Sequence, residues 1–297
     1  MKQAKTALIL IVFAVSLLVA TRVRADGSFP LLVTTDWLEK HLQDKDLVIL
    51  HANWTNGSYK HGHIPGARFL WLNALAKDTP ERNTEMPSLD DARETLRSLG
   101  INNDSHIVVY FEGQNITMAT RMVLTLGYLG LANRVALLDG GFDVWKNERR
   151  PVSTVTPAIL PGEYVPTLHP VYITDAGWVQ AHLSDVRTTI IDARARRFYD
   201  GGSGTPPGHI PHALSVPFSS VVDSTNKLLP VDSLRAVFAR AGVNTRNHLV
   251  TYCHVGQQAT LVFLAARLIG CDVSVYDGSF QDWSDNDLPV ENPAAKK

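Results

Sequence analysis

Val250-Thr251-Tyr252-Cys253-His254-Val255-Gly256-Gln257-Gln258-Ala259-Thr260 is the stretch on which the reading of this chain turns. A run from His248 to Tyr252 ends on a cysteine, and a short loop with one glycine follows. An apolar helical pattern then begins with Leu261, Leu264, Ala265 and Leu268. A buried strand, a tight loop and a helix start account for that order. A cysteine there sits where the unpaired N–H groups of a helix N-terminus converge and the helix dipole is positive. Such a setting favours the nucleophilic thiolate over the thiol. Against this stands the plain reading of a buried, inert cysteine, because free cysteine is among the most buried residue types. The rest of the chain must decide.

The same syntax occurs twice. In the first half, Thr34-Thr35-Asp36 caps a helix through His41, and strands are expected over Asp46–Leu50, His106–Tyr110 and Arg134–Leu138. Helices are expected over Leu89–Leu99, over Thr117–Leu129, and from Gly140-Gly141 through Trp145. In the second half, Thr174-Asp175 caps a helix, and strands fall at Thr188–Ile191, His248–Tyr252 and Val273–Tyr276. Helices are expected over Val231–Ala241, from Ala259, and up to Trp283. The halves also match residue by residue. Gly62-His63-Ile64-Pro65 recurs as Gly208-His209-Ile210-Pro211, and Asp139-Gly140-Gly141-Phe142 as Asp277-Gly278-Ser279-Phe280. A repeat of about 140 residues is a tandem domain duplication rather than a solenoid. Strands alternating with helices imply parallel sheets flanked by helices. The proline-rich stretch at 153–170 reads as a linker between a domain at 26–152 and one at 171–297.

The duplication bears on the cysteine. In the repeat, Tyr110-Phe111 falls at Tyr252-Cys253, so packing alone does not demand cysteine there. Ligands of open parallel sheets bind outside the carboxyl ends of the strands, where Cys253 is expected.

Composition excludes less than it permits. The 297 residues are 45% hydrophobic and 19% charged, with a formal net charge of −1, an ordinary globular balance without a basic stripe for nucleic acid. The chain starts with Lys2 and Lys5, runs apolar from Ala7 to Ala20, and reaches Val23-Arg24-Ala25. That pattern fits a signal peptide over 1–25 with cleavage before Asp26, its apolar run short for a spanning helix, and implies export to the periplasm. An uncleaved anchor is the alternative. After cleavage no membrane association is expected. The two cysteines, Cys253 and Cys271, bracket a predicted helix, which holds them beyond disulfide reach. Cys271 reads as structural.

Tandem α/β domains, paired Gly-His-Ile-Pro motifs and the Cys253 loop, with Asp192-Ala193-Arg194 upstream, resemble the rhodanese family of sulfurtransferases over about residues 30–294. The resemblance implies two tandem rhodanese-like domains, each a parallel sheet flanked by helices, the first lacking the cysteine. It implies a Cys253 persulfide, formed from a small anionic donor such as thiosulfate and discharged to a thiophilic acceptor, cyanide or a thiol. No metal or organic cofactor is implied, and a monomer is expected. The loop amides from His254 to Ala259 would cradle the anionic sulfur, with Gly256 letting the backbone curl. Arg194 and Arg197 would bind the anionic donor. His254, Val255, Gln257 and Gln258 would line the pocket, and Trp54 and Phe111 would form an apolar wall from the first domain. Asp192 is expected to hold loops together, and His63 and His209, which recur as a pair, to be structural.

The loop departs from two known patterns of the family. Thiosulfate-type loops carry Arg and Lys just after the cysteine, and mercaptopyruvate-type loops carry Gly-Ser-Gly; here His254 and Val255 follow. Thiosulfate is the favoured donor and 3-mercaptopyruvate the alternative. A Cys-x5-Arg phosphatase would need arginine where Ala259 stands, and a Cys-x-x-Cys redox site would need cysteine where Gly256 stands. A cysteine hydrolase needs a positioned histidine base, and the adjacent His254 cannot easily face its neighbour's sulfur. A persulfide carrier or docking module without turnover is the rival outside enzymes.

Overall fold

Every strand of the two sheets runs parallel to its neighbours, and each sheet is built in the same order. The computed structural model describes residues 29–296 except 81, 204 and 205; the signal peptide expected over 1–25 lies outside them. The first sheet comprises β1 (Leu32–Val33), β2 (Leu47–Asn53), β3 (Arg68–Trp71), β4 (His106–Tyr110) and β5 (Val135–Leu138), in the order β1-β5-β4-β2-β3. The second comprises β6 (Ile173–Thr174), β7 (Thr188–Asp192), β8 (Leu214–Ser215), β9 (His248–Tyr252) and β10 (Val273–Tyr276), in the order β6-β10-β9-β7-β8. Their central strands are mostly apolar and buried, as parallel strands covered on both faces are.

The expected elements are present with shifted ends. The four edge strands, β1, β3, β6 and β8, were not expected; β1 and β6 are two residues long and run straight into the caps of the next helices. The other two, β3 and β8, each follow a Gly-His-Ile-Pro motif and are too short for a periodic signal. The motif itself is a corner. His63 and His209 stack on Tyr59 and Tyr199 at 3.9 and 3.7 Å between ring centroids. The Ile64 and Ile210 amides donate to the Tyr110 and Tyr252 hydroxyls. Backbone bridges His63–Ser153 and His209–Glu291 then tie each corner to the end of its own domain. Both histidines are therefore structural.

The helix expected over Thr117–Leu129 stops at Leu126 and continues as a wider turn over Gly127–Leu131. Gly130 breaks it at φ 108°, where a Cβ would meet the Thr167 carbonyl. The linker causes this. It lies along the first domain, with the Thr167 and His169 amides donating to the Leu129 and Tyr128 carbonyls, and Tyr164 fully buried.

The two domains share a core. One apolar cluster runs from Val48, Phe111 and Met122 through to Cys253, Leu261 and Val275, while smaller clusters cover the outer face of each sheet. Helices Ile116–Leu126 and Ala259–Leu268, equivalent in the repeat, face each other across this core, with the Thr120 and Thr260 hydroxyls 2.7 Å apart. That contact brings the cysteine loop against the first domain.

Candidate active site

Cys253 lies at the carboxyl end of β9, 1% exposed, before a loop that enters the helix Ala259–Leu268. It and Cys271 are unpaired, at opposite ends of that helix. The loop is defined by where its carbonyls go. The Cys253 and His254 carbonyls accept from the amides of Phe280 and Gln281. The Val255 carbonyl accepts from the Thr84 hydroxyl, and the Gly256 carbonyl from Arg121 Nη1 at 3.3 Å. The Gln257 carbonyl accepts from the Thr260 hydroxyl at 2.7 Å. Every carbonyl from Cys253 to Gln257 is thus engaged, and among the described residues none accepts from the amides of residues 254–258. A trans peptide sets C=O and the next N–H in opposite directions, so these amides point away from the carbonyls' partners and are left to donate to an anion, as the amides of an anion nest do.

Gly256 is required for this turn. Its φ is +76°, and a Cβ would sit hard against the Asp277 carbonyl and 3.1 Å from Arg121 Nη1. Ser279 closes the site from behind. Its hydroxyl accepts from the Cys253 amide at 3.1 Å and donates to the Tyr276 carbonyl at 2.8 Å.

Arg194 lies just past the carboxyl end of β7, at the sheet edge expected for it, but most of its guanidinium is engaged by the protein. It is 1% exposed, its Nε and Nη2 hold the Asp192 carboxylate, and Nη2 also donates to the Gly208 carbonyl at 2.7 Å. Its guanidinium lies 3.9 Å from the Phe280 ring centroid, and Tyr252 donates to Asp192 at 2.8 Å. Burial works against the Arg194 charge, but Asp192 outweighs it and holds the guanidinium above its usual value. Among the described residues Nη1 has no hydrogen-bond acceptor. Arg197 is exposed over the Phe198 ring and forms no ion pair among the described residues. His254 packs edge-on against Phe198 at 4.5 Å. Its basicity is lowered by burial first and then by the charges of Arg194 and Arg197. The shift favours the neutral imidazole, and Arg197 is left as an exposed cation without an ion pair among the described residues.

Other expected residues fall differently. The Gln257 side chain donates to Thr117 across the domain boundary at 3.1 Å, so it anchors the loop. The Gln258 side-chain oxygen is buried without a partner. Val255 is half-buried. Phe111 is 1% exposed and packs within the shared core, where Gly141 leaves room for its ring; it is not an open wall. Trp54 is about a third exposed just past β2, and no hydrogen bond or ring contact ties it to the Cys253 loop. Among the described residues no three His, Cys, Asp or Glu side chains converge as a metal site requires.

The rhodanese-like domain profile matches twice, over residues 34–148 and 175–286. This chain belongs to the rhodanese family. A 3-mercaptopyruvate sulfurtransferase of Escherichia coli (strain K12) is 32% identical over 275 residues, covering 87% of this rhodanese and 97% of the relative. A thiosulfate sulfurtransferase of Cricetulus griseus is 30% identical over 272 residues, covering 85% and 91%. The crystal structure of the 3-mercaptopyruvate sulfurtransferase SseA from Escherichia coli superposes with a TM-score of 0.76 at 29% identity, covering 85% of this rhodanese and 99% of that chain.

Sequence reasoning missed Thr84, Arg121, Asp277 and Ser279. A signal existed for two of them. Arg121 is a charge inside the otherwise apolar and hydroxylic helix Ile116–Leu126, and Ser279 stands where the first half of this rhodanese has Gly141. Thr84 lies in an irregular segment that carries no pattern. A second hydrogen-bonded chain, Ser274–His248–Asp272, lies at the opposite end of the second sheet. Ser274 is 2% exposed within β10, so this chain ties β9 to β10 and offers no reachable nucleophile.

Proposed function

We propose that this enzyme takes the sulfane sulfur of thiosulfate onto Cys253 and passes it to a thiophilic acceptor. The chain is a sulfurtransferase; the proposal concerns the donor and the residues that handle it. The Cys253 thiolate attacks the outer sulfur of thiosulfate, the S–S bond breaks, and sulfite leaves with the electron pair. Cys253 then carries a persulfide anion. Cyanide or a thiolate attacks its outer sulfur and regenerates the Cys253 thiolate, a ping-pong cycle that needs no proton transfer at the sulfur. The observation that carries this reading is the row of unengaged amides at residues 254–258 beside the cysteine. They would stabilise the anionic outer sulfur as an oxyanion hole stabilises oxygen. Arg197 would draw in the sulfonate end of the donor and hold it through a planar fork of donors.

A second donor is supported by the same site. Relatives of comparable identity are named for 3-mercaptopyruvate and for thiosulfate, and an arginine fork suits a carboxylate as well as a sulfonate. Intact-mass spectrometry after incubation with each donor, followed by cyanide, separates the readings. A gain of one sulfur atom on Cys253 with thiosulfate, lost on adding cyanide and absent in Cys253→Ser, is the expected result. Loading by 3-mercaptopyruvate alone reverses the donor assignment. Stoichiometric loading without steady-state turnover makes the protein a carrier.

The basic start, apolar run and Val23-Arg24-Ala25 ending support export with cleavage before Asp26 and a periplasmic enzyme. Cell fractionation and the N-terminal mass of the mature chain test that placement.

A further inference from the structure

The first domain lacks the nucleophile, yet it supplies the groups that hold the middle of the nucleophile's loop. Arg121 is fully buried on a helix whose other side chains are apolar or hydroxylic. A charge in such a place costs several kcal/mol unless it is compensated. Arg121 is compensated by groups outside that helix: the Asp277 carboxylate, the Gly256 carbonyl and the Thr84 carbonyl, with Nε left unpartnered. Joining two domains does not by itself require this, because packed apolar side chains of similar volume do as well or better than a buried ion pair. An ionic grip adds direction. The Thr84 hydroxyl acts beside it, on the Val255 carbonyl.

Those two carbonyls are the ones that the second domain leaves unheld. It secures the carbonyls of Cys253, His254 and Gln257 with its own Phe280, Gln281 and Thr260. Drawing the Val255 and Gly256 carbonyls toward the first domain turns the Gly256 and Gln257 amides the other way, because each trans peptide is rigid. Without these contacts the peptides after Val255 and Gly256 could rotate and break the row of donors at its centre. We infer that the cysteine-free domain shapes the catalytic loop: Arg121 and Thr84 are positioning residues that hold the Val255 and Gly256 carbonyls and so aim the following amides at the sulfur on Cys253. The inference rests on the sulfurtransferase reading of Cys253 and adds a function for the domain that carries no cysteine.

Thr84→Ala, Thr84→Ser and Arg121→Met, made in the full chain, test it. Thr84→Ala deletes one hydroxyl and decides the matter even if Arg121→Met fails to fold. The expected result for Thr84→Ala is kcat lowered about tenfold with KM held within about twofold, as for a misplaced reacting group. Thr84→Ser should restore most of kcat. A second readout does not depend on sulfur transfer: the ratio of Cys253 alkylation rates by iodoacetate and by iodoacetamide at one pH. The reagents are alike in size, so a looser loop changes both rates together, whereas a disordered anion nest lowers the ratio. We expect the ratio to fall about fivefold in Thr84→Ala and further in Arg121→Met. An unchanged kcat and an unchanged ratio, with only the melting temperature lowered, would overturn the inference and leave a mere domain tie. If the wild-type enzyme turned over with neither donor, the donor assignment would fail while the alkylation ratio still judged the positioning.

Discussion

Ser279 shows what the site demands of one residue. Its φ of 54° belongs to a region that favours glycine, and the equivalent position in the first domain is Gly141 at φ 59°. A side chain in that conformation costs about 1 kcal/mol. The second domain tolerates the cost and gains a hydroxyl that accepts from the Cys253 amide. Ser279→Ala keeps the strain and loses the hydroxyl; Ser279→Gly loses both. Each should lower kcat about tenfold by leaving the Cys253 amide without its acceptor, while the glycine variant should be the more stable by about 1 kcal/mol. Steady-state kinetics beside urea unfolding read both quantities. A glycine variant with wild-type kcat would mean that the hydroxyl does not matter to the reaction.

At the scale of elements, the carboxyl end of β7 and the short helix Arg196–Tyr199 divide the cationic work. The Asp-Ala-Arg motif was legible in the sequence, and so were its strand and the sheet edge it would reach. That Arg194 would be consumed by Asp192 was not legible, because the ion pair depends on Tyr252 and Gly208 arriving from other elements. Arg194→Ala should therefore cost about 3–5 kcal/mol of stability, the price of stranding a buried carboxylate. Arg197→Ala should leave the unfolding midpoint unchanged and raise KM for thiosulfate about tenfold. If Arg197→Ala left KM unchanged, the donor would be held by the loop amides and Arg194 Nη1 alone. The strand–loop–helix around Cys253 was readable from periodicity and one glycine, and the duplication was readable from repeated motifs. The edge strands β1, β3, β6 and β8 were not, since strands this short are fixed by their neighbours and not by their own pattern. Thr84 was hidden for a related reason: its partner, the Val255 carbonyl, is far along the chain and offers no sequence signal.

Over the whole molecule, the repeat lets each position of the active domain be compared with its counterpart in the other. Strand register sets His51 opposite Tyr110 and Asp192 opposite Tyr252, so His51 stands where Asp192 does. The first domain thus has histidine where the second builds its carboxylate–arginine pair, and among the described residues none hydrogen-bonds to it. His51 is fully buried, both ring nitrogens lack partners, and its ring is set among Tyr59, Phe69, Tyr110 and Phe142. Burial is the main reason its pKa is lowered from 6.5 to about 4, with Glu112 opposing and His63 and Lys146 adding to the effect. The folded chain therefore keeps His51 neutral over a range in which the unfolded chain protonates it. This group's contribution to stability is fully present above about pH 6.5 and declines as the pH falls from there toward 4. Between pH 7.5 and 5.0 the loss amounts to about 2 kcal/mol. Replacing the imidazole with another flat ring, His51→Phe, removes the titration and keeps most of the packing. Wild-type protein should lose about 2 kcal/mol more than His51→Phe over that interval, measured by urea unfolding and located to the first domain by hydrogen exchange of β2 and β4 amides. Parallel pH profiles for the two proteins would mean that His51 finds a proton acceptor or water in the folded state, and that the first domain has kept a polar site where the structure shows an orphan.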